Sequence, residues 1–209
     1  MDAHEALSIK VTQLNAYTLN VLSGVEVTWT HDVSRHLLLT KAKQDSARHL
    51  MGNDRYVLEV FSLPCSLDAI TSISVGVSSE LVMEIQESYA MLFNAWPVKL
   101  LHTRFRIRHF CWCWSCSAIR HRQDCIASCR SVAYASLRRR TGVLTQSDFD
   151  PLLEKLVESD SMYAWTQEDF PHLWPRIIRL EHHLLTAKPW SLTVLFRDRR
   201  DTVQFWTFL

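Results

Sequence analysis

The segment Val25–Leu63 constrains the fold most, because it contains the clearest strand patterns in the chain. Over Val25–Thr30, β-branched and aromatic residues alternate with polar ones, which is the period of two expected of a half-buried strand. An apolar run follows at Leu37–Leu39 and another at Tyr56–Leu63, separated by polar residues that end in a Gly-Asn-Asp turn signal. The segment predicts a small antiparallel sheet of two to three strands, the last two forming a hairpin.

Segments whose apolar residues recur at helical spacing lie before, between and after these strands in the sequence. The predicted helices are Ala6–Leu22 with Gly24 as its stop, a short helix capped by Thr30, one that starts at Ser78 or Ser79 and runs to Asn94, Asp150–Glu158 with Pro151 in its first turn, and Trp174–Ala187. The order of elements is similar to a winged-helix layout that lacks one helix. We therefore predict an α+β fold, mainly helical, in which helices pack on the small sheet.

The helix after Ser79 has two distinct sides in the sequence. Glu80, Glu84 and Glu87 fall on one side. The other side contains Leu81, Ile85, Ser88 or Tyr89, and Leu92. Because amphipathic helices bury their apolar stripe, we expect the helix to pack on the sheet through this second side.

Composition changes twice along the 209 residues. Between Lys99 and Arg140 there are ten lysines and arginines against the single acid Asp124, whereas the whole chain carries a net charge of only +1. These changes divide the chain into an N-terminal helix, strand, hairpin and helix unit (1–98), a basic insertion rich in Cys and Trp and irregular in structure (99–142), and a helical C-terminal segment that completes the same domain (143–209). A basic block indicates an anionic partner, and a solvated loop is the alternative.

Several absences bear on location. The N-terminus has no secretory signal pattern, no Asn-x-Ser/Thr site occurs, and no run of about 18 apolar residues is present. We therefore expect an intracellular chain whose six cysteines are reduced.

The cysteines of the basic block suggest two kinds of site. Thiolates bind zinc when four ligands converge, and Cys113, Cys116, Cys125 and Cys129 form two closely spaced pairs, with Cys111 left over. Zinc is therefore a candidate cofactor, and a chain without any cofactor is the alternative.

A membrane-surface patch is the second interpretation of this block. Phe110, Trp112 and Trp114 are interleaved with the cysteines, and arginines flank them. Aromatic rings favour the lipid headgroup boundary, arginine attracts anionic lipid, and cysteine there can be acylated. Core aromatics with inert cysteines, or a translated intron, would also produce this composition.

Catalytic motifs for nucleophilic, phosphate-binding, zinc-protease or dinucleotide chemistry are absent from the sequence. His31, Asp32, Ser34 and His36 lie close together, but helix capping and surface histidines account for them. Glu59 is interpreted as a pairing or edge residue of its strand. The sequence therefore predicts a protein that is not an enzyme.

The C-terminal segment carries a longer motif. Leu195–Phe208 reads LFRDRRDTVQFWTF, and the segments Trp29–Leu39 and Tyr56–Cys65 accompany it. Together they resemble a large group of uncharacterised filamentous-fungal proteins, in which a motif of this form ends the cytosolic part and leads into a membrane helix. In the present sequence the last residue is Leu209, the position at which that helix begins in the group.

The resemblance implies a position next to a membrane. Arginines followed by aromatic rings are the order expected at a cytoplasmic interface. The candidate membrane-proximal residues are Arg197, Arg199, Arg200, Phe205, Trp206 and Phe208. A terminal helix packed on the core is the alternative.

Two hypotheses of function follow. The first is a non-enzymatic, intracellular, membrane-proximal domain for binding or scaffolding, whose partner is an anionic membrane surface or another protein. The second is a zinc-stabilised nucleic-acid-binding module, although the near-neutral net charge makes nucleic acid the weaker partner.

Overall fold

The protein was analysed as a computed structural model that describes residues 8–42, 56–62, 77–93, 111–141 and 164–187, with the side chains of the third long helix described up to 129 and at 131. These residues form five strands, β1 (Ile9–Lys10), β2 (Val25–Thr30), β3 (Leu38–Lys41), β4 (Tyr56–Phe61) and β5 (Ala164–Trp165), and four α-helices, α1 (Ala16–Ser23), α2 (Ser79–Phe93), α3 (Trp114–Thr141) and α4 (Trp174–Thr186). The α+β class with a helical majority is confirmed.

The main sheet has the strand order β2-β4-β3. Strands β3 and β4 are antiparallel, as the hairpin prediction requires, with Leu38 opposite Glu59. Strand β2, however, is parallel to β4, with Val25 opposite Tyr56. The prediction of an antiparallel sheet is wrong for this pair, because side-chain alternation identifies strands without revealing their direction. β4 takes the central position, which agrees with its apolar residues on both faces.

The first helix is shorter than its apolar spacing predicts. Asn15 begins it through a capping box, in which Asn15 Oδ1 accepts from the Thr18 N–H at 2.9 Å and Thr18 Oγ1 accepts from the Asn15 N–H at 3.0 Å. The preceding residues form a turn and strand β1, where Ile9 pairs with Trp165. Gly24 ends the helix as predicted, in the left-handed region at φ 66°.

The short helix after β2 is a 3₁₀ turn at Val33–Arg35. Its cap is Asp32 rather than Thr30, because Asp32 Oδ1 accepts from the Ser34 N–H at 2.9 Å. Hydrogen bonds from Ser34, first through its side chain and then through its backbone, lower the pKa of Asp32. Leu37 follows with a φ of 57° and is buried, a conformation that is rare for a bulky residue.

All of the α-helices contribute to one apolar core. Helix α2 buries Ile85, Tyr89 and Leu92, as predicted, and α4 buries Ile177, Leu180 and Leu184. Trp165 is among the largest buried side chains, and its Nε1 donates to the Leu14 carbonyl at 3.1 Å. This bond joins two residues that are 151 positions apart in the sequence.

The basic block is helical from Trp114 onward, which corrects the prediction of an irregular insertion. The packing of α3 explains the difference: Cys116, Ile126 and Cys129 are buried, and Trp29 Nε1 donates to the Cys125 carbonyl at 3.1 Å. The predicted helix at 150–158 lies outside the described residues.

Candidate functional site

Three cysteines lie together at the start of α3. The sulfur atoms of Cys111, Cys113 and Cys116 are all within 4.8 Å of one another. Cys116 is fully buried, whereas Cys111 and Cys113 are half-buried. We call these three residues the thiol cluster. Its Cys116 sulfur is buried, whereas solvent reaches Cys111 and Cys113.

Hydrogen bonds fix the backbone that carries the thiol cluster. The Cys113 carbonyl accepts from the Ser117 N–H at 3.0 Å, so Cys113 directly precedes the first helical turn. Arg120 reaches back from the next turn, donating from Nη1 to the Cys111 carbonyl at 2.8 Å and from Nη2 to Ser117 Oγ at 3.0 Å. The backbone that carries the three sulfurs is therefore held in part by contacts that do not involve the sulfurs.

The thiol cluster holds its deepest sulfur in the neutral form. Burial, together with hydrogen bonds to Cys113 and Cys111, raises the pKa of Cys116 to about 12. As a neutral thiol, Cys116 is inert as a nucleophile at neutral pH, since the thiolate is the reactive form.

The predicted four-cysteine zinc set is not brought together. Cys125 follows Cys116 by nine residues on one helix, which separates them by about 14 Å along the helix axis. Cys125 Sγ instead lies 3.8 Å from His121 Nδ1, and Cys129 Sγ lies 3.6 Å from Ser62 Oγ. Burial, with smaller effects of Asp124 and Cys129, raises the pKa of Cys125 to about 12. The structure thus brings Cys113 and Cys116 together with Cys111, the cysteine that the predicted zinc set did not include.

The tryptophans of the block have different environments. Trp112 lies between two members of the thiol cluster and is 80% exposed. Trp114 packs edge-to-face on Tyr17, with ring centroids 5.4 Å apart. One of the two rings is therefore available to a partner and the other serves packing.

His36 is a buried structural residue, which corrects its assignment as a surface histidine. The Phe61 N–H donates to its Nδ1 at 3.2 Å, so the proton of the neutral ring is on Nε2, which donates to Ser88 Oγ at 2.8 Å. Ser88 in turn donates to the Ile85 carbonyl at 2.7 Å. Burial first, and the nearby Arg176 second, lower the pKa of His36 to about 3.

Glu84 is also buried, although the sequence placed it with Glu80 and Glu87 on the polar side of α2. Its carboxylate accepts from the Leu173 N–H at 2.9 Å and from the His172 N–H at 3.1 Å, and Oε1 lies 2.5 Å from His172 Nδ1. These N–H groups precede α4, whose N-cap Leu173 has no side chain capable of capping. Glu84 caps α4 from another helix, where its charge also suits the helix dipole.

Glu59 is confirmed as a pairing residue, but it lies in the central strand rather than at an edge. Arg35 Nη2 donates to its Oε1 at 2.5 Å, and Thr40 Oγ1 donates to the same oxygen at 3.4 Å. His31, by contrast, is exposed. Residues 31–36 therefore supply a cap at Asp32 and a buried polar contact at His36.

The six candidate membrane-proximal residues between Arg197 and Phe208 lie outside the described residues. Among the helices that the structure describes, none has the length and apolar character needed to cross a bilayer. No protein-family model, curated protein or solved structure matches the chain. The resemblance to the fungal proteins stays a prediction of the sequence.

Proposed function

We propose that the protein is a non-enzymatic binding module that attaches to an anionic membrane surface through the start of α3. The observation that supports this proposal is the 80% exposure of Trp112 between two half-buried cysteines. A tryptophan in this position can place its ring at the headgroup boundary, where aromatic side chains are favourable.

Charge on the same helix favours anionic lipid. The sequence of α3 contains six arginines and the single acid Asp124. Each basic residue close to an anionic surface contributes about 1 kcal/mol to binding. The attachment is therefore partly electrostatic, and it weakens as salt is added.

The C-terminal motif extends the same proposal. Arg197, Arg199 and Arg200 would face the headgroups, followed by Phe205, Trp206 and Phe208 at the boundary of the hydrocarbon. In this arrangement the tail and the start of α3 contact one membrane, and the module is held close to it by two points.

Vesicle flotation tests the contact of α3. Wild-type protein is mixed with phosphatidylserine-containing vesicles and with purely zwitterionic ones, and Trp112→Ala is compared with Leu185→Ala, which removes a 68% exposed side chain from α4. We expect binding to the anionic vesicles only, weakened about tenfold by Trp112→Ala because the ring loses its apolar contact, and unchanged by Leu185→Ala. Equal loss in both variants, or none in either, would contradict the proposal.

A separate variant tests the tail. Replacing Arg197, Arg199 and Arg200 together by glutamine removes about 3 kcal/mol of attraction, so the apparent affinity for anionic vesicles should fall about a hundredfold. An unchanged affinity would remove the tail from the proposal while leaving the contact of α3 standing.

A nucleic-acid-binding module stabilised by zinc is the second candidate. It is favoured by the position of the thiol cluster at the beginning of an arginine-rich helix. The predicted winged-helix layout has an antiparallel sheet. The parallel pair β2–β4 does not support that layout. Duplex DNA titrated at two salt concentrations distinguishes this candidate, since phosphate contacts give a steep salt dependence.

A further inference from the structure

We propose that Cys111, Cys113 and Cys116 form a metal site for a thiophilic d¹⁰ cation, Zn²⁺ or Cu⁺. The site differs from the four-cysteine set suggested by sequence spacing, because it includes Cys111 and excludes Cys125 and Cys129. It does not depend on attachment to a membrane.

The geometry of the thiol cluster fits such a cation. Three sulfurs that each lie about 2.3 Å from a tetrahedral zinc ion are about 3.8 Å apart. The three Sγ atoms already lie within 4.8 Å of one another. Rotation of side chains that moves the sulfurs by about 1 Å at most is enough to close the site, and the backbone contacts of Arg120 and Ser117 can stay in place.

The donor set determines which cations the site accepts. Thiolate ligands favour Zn²⁺ and Cu⁺, whereas Ca²⁺ and Mg²⁺ require oxygen ligands. Within the part of the chain that the structure describes, no His, Asp or Glu joins the three cysteines. Cu⁺ would be three-coordinate here, and Zn²⁺ would take a water or an added ligand in its fourth position.

Protons balance the binding step. Each thiol that becomes a ligand releases its proton to solvent as its metal–sulfur bond forms, because metal charge stabilises the thiolate. The positive end of the α3 dipole lies next to Cys113 and favours the same change. The half-buried side of Cys111 and Cys113 gives the cation a route to the buried Cys116 sulfur.

Metal titration tests the site. The purified, reduced full chain is titrated anaerobically with Zn²⁺ and, separately, with Cu⁺, each against a chromophoric chelator. We expect one ion to bind per chain. Cys113→Ser should weaken binding at least about a hundredfold, since loss of a ligand exceeds the effect of losing an outer hydrogen bond. Cys111→Ser should act in the same way.

The matched control is Cys125→Ala, which removes a cysteine of the same helix that lies outside the thiol cluster. It should keep its affinity, and circular dichroism checks that each variant is folded. Three results would each overturn the proposal. The wild-type protein does not bind the metal, Cys113→Ser still binds it with wild-type affinity, or folded Cys125→Ala no longer binds it. The stoichiometry of the two wild-type titrations shows whether the site accepts Zn²⁺, Cu⁺ or both.

Discussion

His36 and Ser88 are as deeply buried as Cys116, and Glu84 is only 4% exposed, yet their polar atoms are used in a different way. Here nitrogen and oxygen atoms join separate elements: Phe61 of β4 donates to His36, and Leu173 at the start of α4 donates to Glu84 of α2. At the start of α3, the three sulfurs come from one six-residue segment and meet one another. The polar contacts of the first region stabilise the fold, whereas the three sulfurs of the second form the site that we propose for a metal ion.

Burial alone does not identify a functional group in this molecule. Burial lowers the pKa of His36 and raises the pKa of Cys116, so both are held neutral. The neutral His36 ring already makes two hydrogen bonds, and protonation would remove the lone pair that accepts from Phe61. A thiol that loses its proton to a metal ion gains a metal–sulfur bond in exchange, so it does not lose a contact as protonated His36 would.

Among the buried polar groups of the first region, substitution of Glu84 should have the largest effect on stability. Glu84→Ala leaves the His172 and Leu173 N–H groups without their acceptor, and we expect a loss of about 3 kcal/mol of unfolding free energy. Urea denaturation measures it, and Glu80→Ala, at an exposed position of the same helix, should cost less than about 0.5 kcal/mol. Similar losses in the two variants would show that Glu84 does not hold α4.

Acid should weaken the same region by a similar amount. The pKa of His36 falls from 6.5 in the unfolded chain to about 3 in the folded one. The folded state therefore binds fewer protons, so the contribution of His36 is complete above pH 6.5 and is lost as the pH falls towards 3. The loss is about 1.4 kcal/mol per pH unit, or roughly 3 kcal/mol at pH 4.5, before smaller contributions from other groups.

The variant His36→Gln isolates this contribution. Urea unfolding at several pH values should give a shallower decline between pH 6.5 and 4.5 in His36→Gln than in the wild type. His182→Gln, at an exposed position of α4, should keep the wild-type slope. If both variants decline in parallel with the wild type, His36 titrates normally and is not buried in the way described.

Local signals predicted a large part of this fold. The alternation over Val25–Thr30 and the helical stripe of α2 are properties of consecutive residues, and both elements formed as expected. Gly24 ended its helix because the left-handed conformation there favours glycine. Elements whose evidence lies within one turn or one strand could be predicted from the sequence.

Long-range partners could not be predicted in this way. Strand β1 pairs Ile9 with Trp165, so the residues before the Asn15 cap are not helical and α1 begins only at Ala16. Glu84 became a buried cap only because α4 begins beside it. The sequence therefore placed Glu84 on the polar side of α2, but it could not show that this residue is buried.

The candidate site was predicted in part. The sequence named Cys113 and Cys116, which the structure brings together with Cys111, but helical geometry separated Cys125 and Cys129 from them. The signal that could have shown this is the absence of Gly and Pro between Cys111 and Arg140, which favours one continuous helix through the block. A helix through this block places Cys125 more than two turns away from Cys116.

Substitution of Trp112 should have the smallest effect on stability, although the proposed function depends on it. Because Trp112 is 80% exposed, Trp112→Ala should change the free energy of unfolding by less than about 0.5 kcal/mol. Trp165→Ala is the matched tryptophan control; its ring is 1% exposed, and we expect a loss of about 3 to 5 kcal/mol. Thermal or urea denaturation of the two variants measures the difference. A loss above about 1 kcal/mol in Trp112→Ala would assign this ring to the fold, and weaker vesicle binding by that variant would then reflect unfolding rather than a lost membrane contact.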